Sequence, residues 1–209
     1  MDARKYLSIV AHYEACLEQH GDTHLGVDWP KKEDADARYG IMLEVIKPHP
    51  DRDISLLDFG CGASHLYEYI VKRNMRHITY AGLDLSEKFI QLSKSKFPEN
   101  NYYCLDILDQ SSQLPSFDYV VMNGVFTEKR ELSSDEMLAY FMRMLKAIFD
   151  KTNIGMAFNV MSKQVDWERE DLFHLSLDTL AHFLTRELTR NFVIRNDYGL
   201  YEYTAYVFK

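Results

Sequence analysis

Little in this 209-residue chain is given over to cross-links, membranes or polyanions. There are three cysteines, Cys16, Cys61 and Cys104, an odd number set far apart with no Cys-x-x-Cys pair. Such usage argues against a disulfide framework and predicts a reducing, cytoplasmic setting in which the thiols pack as small hydrophobes. No apolar run approaches the roughly 20 residues needed to cross a bilayer, and Met1-Asp2-Ala3-Arg4-Lys5-Tyr6 lacks the apolar core of a secretory signal. Basic side chains are outnumbered, 24 Lys and Arg against 32 Asp and Glu, for a net charge of −8. Nucleic acid is therefore not an expected partner, since phosphate backbones are captured by clustered cations. Repeats and low-complexity tracts are absent too. What is present is an apolar fraction of 46%, enough for one compact domain to bury a core without disulfides or structural metal.

Residues 4 to 19 read as a helix with Tyr6, Leu7, Val10, Tyr13 and Leu17 on one side, broken at His20-Gly21-Asp22. A connector over 22–32 carries Gly26, Trp29 and Pro30, and helical periodicity returns from Glu33 to Ile46. Residues 1–50 thus form a helical cap or lid on a core of residues 51–209, the whole being one domain. From Asp53 the pattern alternates: strand 54–59, helix 64–73, strand 78–84, helix 86–96, strand 101–105 and strand 117–122, with a loop over 106–116. Helix 133–149, strand 153–161, helix 176–189 and strands 191–197 and 201–208 follow. This succession predicts an α/β fold, a mostly parallel sheet with helices on both faces. The turn-rich Asn196-Asp197-Tyr198-Gly199 makes the last two strands an antiparallel pair.

The chemistry gathers at strand ends. Leu56-Leu57-Asp58-Phe59-Gly60-Cys61-Gly62-Ala63-Ser64-His65 is an apolar strand running into a Gly-x-Gly turn and a helix. Gly60 and Gly62 let the backbone approach a ligand closely. Asp84 ends the second strand 24 residues after Gly60, near the spacing of about 20 at which a carboxylate meets ribose hydroxyls. A pyrophosphate would favour a third glycine, but His65 stands three beyond Gly62, so a dinucleotide is disfavoured. Asp58 lies inside an apolar strand, where an ionised carboxylate needs donors or a cation such as a sulfonium and its α-amino group. Leu85 can lie on an adenine ring, Asp106 can accept the adenine amine with Ile107 on the ring face, and Asn123-Gly124 offers carbonyls beside the ligand. Four strand ends converge on one crevice, where open α/β sheets bind ligands.

This set resembles the class I S-adenosylmethionine-dependent methyltransferases over residues 54–160. It does so through Leu56 to Ser64, Gly82-Leu83-Asp84-Leu85-Ser86, Asp106-Ile107 and Phe117 to Phe126. The resemblance implies a Rossmann-like, mostly parallel seven-stranded sheet with an antiparallel last strand and two N-terminal helices. It also implies S-adenosyl-L-methionine as cofactor, with Asp58, Gly60, Cys61, Gly62, Asp84, Leu85, Asp106, Ile107, Asn123 and Gly124 around it. The chain departs from the pattern at Ser64, where a third glycine is common.

The acceptor side falls to the two opening helices, loop 123–132 and insert 162–176. Trp29 is expected to pack over the cofactor or acceptor and Arg38 to reach the methionine carboxylate; a core Trp and a solvated Arg are the plain alternatives. His65 and His174 are candidates to take a hydroxyl proton, since histidine titrates near the operating pH. His20, His24, Asp166 and Trp167 are candidates for acceptor binding. The His-x-x-x-His pair at 20 and 24 lacks a third ligand, so no metal is expected. Membership in a group acting in surface-polysaccharide and small-molecule pathways is a further implication of the resemblance. It points to O-methylation of a small acceptor, a sugar or nucleotide sugar. N-methylation of a small amine, methylation of a protein side chain and a noncatalytic S-adenosylmethionine-binding module remain open.

Overall fold

The computed structural model describes residues 4–48 and 52–209, so the expected boundary between cap and core, at residues 50 and 51, lies outside the described residues. The strands are β1 (Ile54–Phe59), β2 (Ile78–Asp84), β3 (Asn101–Cys104), β4 (Phe117–Met122), β5 (Thr152–Ser162), β6 (His174–Leu175), β7 (Phe192–Arg195) and β8 (Glu202–Phe208). They form one sheet in the order β3-β2-β1-β4-β5-β8-β7, with the two-residue β6 paired to the end of β5. Strands β1 to β5 pair in parallel, and β8 runs antiparallel to both β5 and β7. The mostly parallel sheet with one reversed final strand is as the sequence implied; β6, too short for any periodicity, is additional.

The helices are α1 (Leu7–His20), α2 (Lys32–Leu43), α3 (His65–Lys72), α4 (Glu87–Lys96), α5 (Ile107–Gln110), α6 (Ser134–Asp150) and α7 (Leu177–Phe183), the last continuing as a wider π turn over Leu184–Leu188. Both sheet faces are covered, which is why the central strands are apolar throughout rather than alternating. Leu57, Val120, Met122 and Phe158 pack with Phe141 and Leu145 of α6 and Leu180 of α7. Their neighbours Leu56, Tyr119, Val121 and Ala157 pack on the other face with Tyr39 of α2 and Leu66 and Ile70 of α3. Helix α6 opens with a capping box in which Ser133 and Glu136 satisfy each other's backbone donors.

Two sequence readings change. Residues 106–116 are not a plain loop: the Asp106 carboxylate accepts the Leu108 amide and starts the single-turn α5. In α1 the buried side carries Tyr6 and Ile9, whereas Leu7 is 42% exposed. The strand order reverses between β1 and β4, and their carboxyl ends open the crevice there.

Candidate active site

At the end of β1 the chain takes three left-handed steps, Gly60 at φ 73°, Gly62 at φ 50° and Ser64 at φ 58°. A Cβ on Gly60 would stand 2.6 Å from Val125 Cγ2, so glycine is required there by conformation and by space. The Gly60 and Cys61 amides both donate to Leu83 O, which draws the turn against the end of β2. Ser64 lacks glycine's freedom, and a left-handed non-glycine residue costs about 1–2 kcal/mol. Its hydroxyl donates to Ser93 Oγ at 2.8 Å, and Ser93 in turn donates to Gly62 O. That chain of bonds offsets the strain and closes the turn from behind.

Asp84 presents both oxygens at the crevice. Oδ2 accepts the Gly62 amide and Oδ1 the Ser86 amide, each at 2.9 Å. Each oxygen keeps a second lone pair for a ligand hydroxyl. Burial raises its pKa, with those amides opposing. Asp58 is 3% exposed and accepts the Tyr80 hydroxyl at 2.8 Å. Burial pushes its carboxyl up to about 7; the Tyr80 bond works against this and the Asp84 charge with it. A cationic ligand in the crevice would restore the ionised form.

A cleft enclosing, with its mouth, about 1030 Å³ runs over these groups. Asp58, Gly60, Cys61, Gly62, Asp84, Leu85, Asn123, Gly124, Trp29 and His65 all line it. Asp106 and Ile107 do not: the Tyr6 hydroxyl donates to Asp106 Oδ2, and Ile107, the first residue of α5, is buried in the core. Helix α1 roofs the cleft through Tyr6, Ile9, Val10 and Tyr13, at helical spacing i, i+3, i+4, i+7. Tyr6 also stacks on Tyr140 of α6 with ring centroids 4.9 Å apart. Ion pairs lash the roof down: Lys88 to Glu14 and Glu18, Lys5 to Glu136, and Arg4 to Asp109. Only the period of α1 could have revealed this role; its tyrosines and ion pairs have partners some 70 to 130 residues away with no local sequence signal.

Trp29 packs against Gly124, where an added Cβ would come within 2.8 Å of the indole. Arg38 lies over that ring, 4.2 Å from its centroid, and its Nε bonds both oxygens of Glu202. Arg38 is thus engaged away from the cleft lining. Asn123 Oδ1 is buried with no hydrogen-bond partner among the described residues, in the wall of the cleft.

Of the candidate histidines and the insert residues Asp166 and Trp167, His65 alone lines the cleft. Its Nε2 lies 2.8 Å from Asp22 Oδ1, which leaves Nδ1 for a further partner. Although burial works to raise it, bonds from Lys96 and His65 hold the Asp22 carboxyl below its usual range. His24 Nδ1 bonds Trp29 O at 2.6 Å and shapes the connector, while His20 is exposed at the end of α1. His174 is occupied by backbone on both sides, Nδ1 against Ser162 O and Nε2 accepting the Arg169 amide. Asp166 and Trp167, the latter 73% exposed, stand on the insert outside the cleft.

A second polar cluster escaped sequence reasoning. Arg130, itself left-handed at φ 44°, reaches Asp28 of the connector, Glu128 of its own loop and Asp171 of the insert. Its Nε sits 2.8 Å from Glu128 Oε2 as an ion pair without hydrogen-bond alignment. Burial pushes the Glu128 carboxyl up to about 7 despite Arg130. His12, Cys16 and Asp28 meet here at metal-ligand distances, as do Asp22, His65 and Glu68. In each cluster a side-chain cation already stands among the donors: Arg130 Nη2 is 2.5 Å from His12 Nε2, and Lys96 bridges Asp22 and Glu68.

Residues 57–147 match the family model described as a methyltransferase domain. A Mycobacterium tuberculosis protein, Rv1506c, named as a methyltransferase by inference, is 26% identical over 160 residues, 74% of this chain and 93% of its own. Among solved structures, magnesium protoporphyrin IX methyltransferase from Synechocystis with bound SAH superposes with TM-score 0.64 at 13% identity, over 97% of this chain and 99% of that one. Human N-acetylserotonin methyltransferase with SAM gives 0.66 at 12%, over 100% and 60%. The plantazolicin methyltransferase BpumL with SAH gives 0.61 at 16%, over 100% and 91%.

Proposed function

We infer that this chain, whose residues 57–147 form a methyltransferase domain of the class I, S-adenosylmethionine-dependent kind, methylates a hydroxyl of a small acceptor, with a sugar or nucleotide sugar as the acceptor class. The residues present fit the cofactor. The Gly60 turn leaves no room for a side chain, Asp84 offers two free lone pairs, and the unpartnered Asn123 Oδ1 waits for a donor. When bound, S-adenosylmethionine supplies a methyl group on a sulfonium, open to direct displacement.

The protein's share is alignment and exclusion of water. Holding an acceptor in line can supply about 7–11 kcal/mol of the barrier, and the α1 roof with Trp29 provides a largely apolar cleft for it. The observation that carries the hydroxyl reading is the His65–Asp22 pair on the cleft wall. Asp22 orients the ring through Nε2, while Nδ1 is left to take a proton from the acceptor. Tyr6, Tyr13, Trp29 and Tyr140 contribute apolar ring surface to the cleft lining, which suits a sugar ring. Three free cysteines are compatible with action in the cytoplasm.

Turnover of labelled S-adenosylmethionine against nucleotide sugars, polysaccharide intermediates and small amines, with mass analysis of the product, tests this. A methyl ether is expected, and His65→Ala should lower kcat by about 10²–10⁴-fold with SAH affinity unchanged. A methylated amine, or full activity in His65→Ala, would refute the hydroxyl reading.

A further inference from the structure

Two arms converge on Glu202, at the start of β8 and 1% exposed. In one, Arg38 Nε donates to Oε1 and Oε2 at 3.0 and 2.9 Å, and the guanidinium lies over the Trp29 indole, which itself abuts Gly124. In the other, Asn159 Nδ2 donates to Glu202 Oε1 at 2.9 Å while its Oδ1 accepts the Gly124 amide at 2.8 Å. Both arms end on the same residue, Gly124, at φ 81°, next to the unpartnered Asn123 Oδ1. One fixes its backbone from beneath and the other presses a ring onto its Cα.

We propose that Glu202 is a positioning residue. Through Asn159 and the Arg38–Trp29 stack it clamps the Asn123–Gly124 segment, and so sets the cleft wall that receives the ligand's donor groups. The circuit is built rather than incidental. A carboxylate buried this deeply is costly unless paired and hydrogen-bonded, and here its bonds go to the one arginine that stacks on a cleft-lining ring. Tyr198 adds a hydroxyl 3.4 Å from Oε1 and is itself 2.9 Å from Thr204 Oγ1, which holds the carboxylate from its third side. The function of the clamp rests on the methyltransferase reading; the clamp itself does not.

Trp29 and Trp167 are the two tryptophans of the chain, so Trp167→Phe leaves Trp29 as sole reporter and serves as the reference protein. In that background Arg38→Met with Glu202→Gln removes both charges, keeps the amide oxygen that Asn159 needs, and cuts only the stacking arm. Arg38→Lys keeps the ion pair but cannot lay a planar cation on the indole. For either variant, acrylamide quenching of Trp29 in the ligand-free protein should increase, and the SAH dissociation constant should rise about three- to tenfold, the range a lost cation–π contact implies. If the double variant does not fold by circular dichroism, Arg38→Lys decides alone. Folded Arg38→Lys with reference-level quenching and SAH affinity would overturn the clamp. Increased quenching in the variants, with a reference protein that itself does not bind SAH, would uphold the clamp and instead sink the methyltransferase reading.

Discussion

At the residue scale, charge in an apolar place is the theme. The Asp58 carboxyl is pushed from its ordinary 3.8 up to about 7, so between those values the folded chain holds a proton that the unfolded chain has released. Its contribution to stability is therefore greatest below about pH 4 and is lost as pH rises to about 7. Melting curves should show Asp58→Asn with a smaller fall in Tm from pH 5 to pH 8 than the unaltered protein; an identical fall would contradict the burial argument. The same linkage predicts that calorimetric affinity for the sulfonium-bearing S-adenosylmethionine rises from pH 6 to pH 8 more than affinity for SAH, which lacks that charge. Glu202→Ala, by contrast, strands Arg38 without its carboxylate. It should destabilise the fold by about 3–5 kcal/mol in urea unfolding, and a loss under 1 kcal/mol would show the pair to be dispensable. Asp58, Asp84 and the glycine turn were legible in the sequence because a carboxylate or a Gly-x-Gly at a strand end breaks an apolar pattern locally. The Arg38–Glu202 pair was not, since its members are 164 positions apart, Arg38 had been assigned to the methionine carboxylate, and Glu202 reads as an ordinary strand charge.

At the element scale, α1 presents to the site a different stripe from the one its sequence reading gave. Its period announced an amphipathic helix, but sequence placed Leu7 on the buried side, and 3.6-residue periodicity alone cannot say whether the stripe is centred on Leu7 or Ile9. Nor could it say that the stripe would face a cleft instead of a hydrophobic core. The central strands were read almost to the residue, because runs buried on both faces are bounded by sharp polar turns. The single-turn α5 was missed because four residues carry no periodicity and its cap, Asp106, had been assigned to a ligand. Helix α1 is lashed down chiefly by half-exposed ion pairs at its ends and sides, which salt screens over a Debye length of about 10 Å at 0.1 M. Hydrogen exchange should therefore speed up in residues 7–20 between low and high salt while β1, β4 and β5 stay protected. Bound SAH should reverse the effect; salt-independent exchange in α1 would mean that its apolar face, not its ion pairs, holds the roof shut.

At the scale of the molecule, the sheet reverses its order between β1 and β4, and the cleft forms there because three strand ends, a glycine turn and a roofing helix meet at that point. No helix among the described residues is long and apolar enough to cross a membrane. The fold follows from the strand pattern; the acceptor does not, since the connector, loop 123–132 and the insert make contacts that join segments far apart in the chain. The central claim is that Asp84 and the turn beside it grip an adenosyl group. Titration calorimetry of SAH into the unaltered protein and into Asp84→Ala tests it most directly. The account predicts one site per chain in the former and an affinity weaker by about 1–3 kcal/mol in the latter; no heat from the unaltered protein, or equal affinity in both, would contradict it.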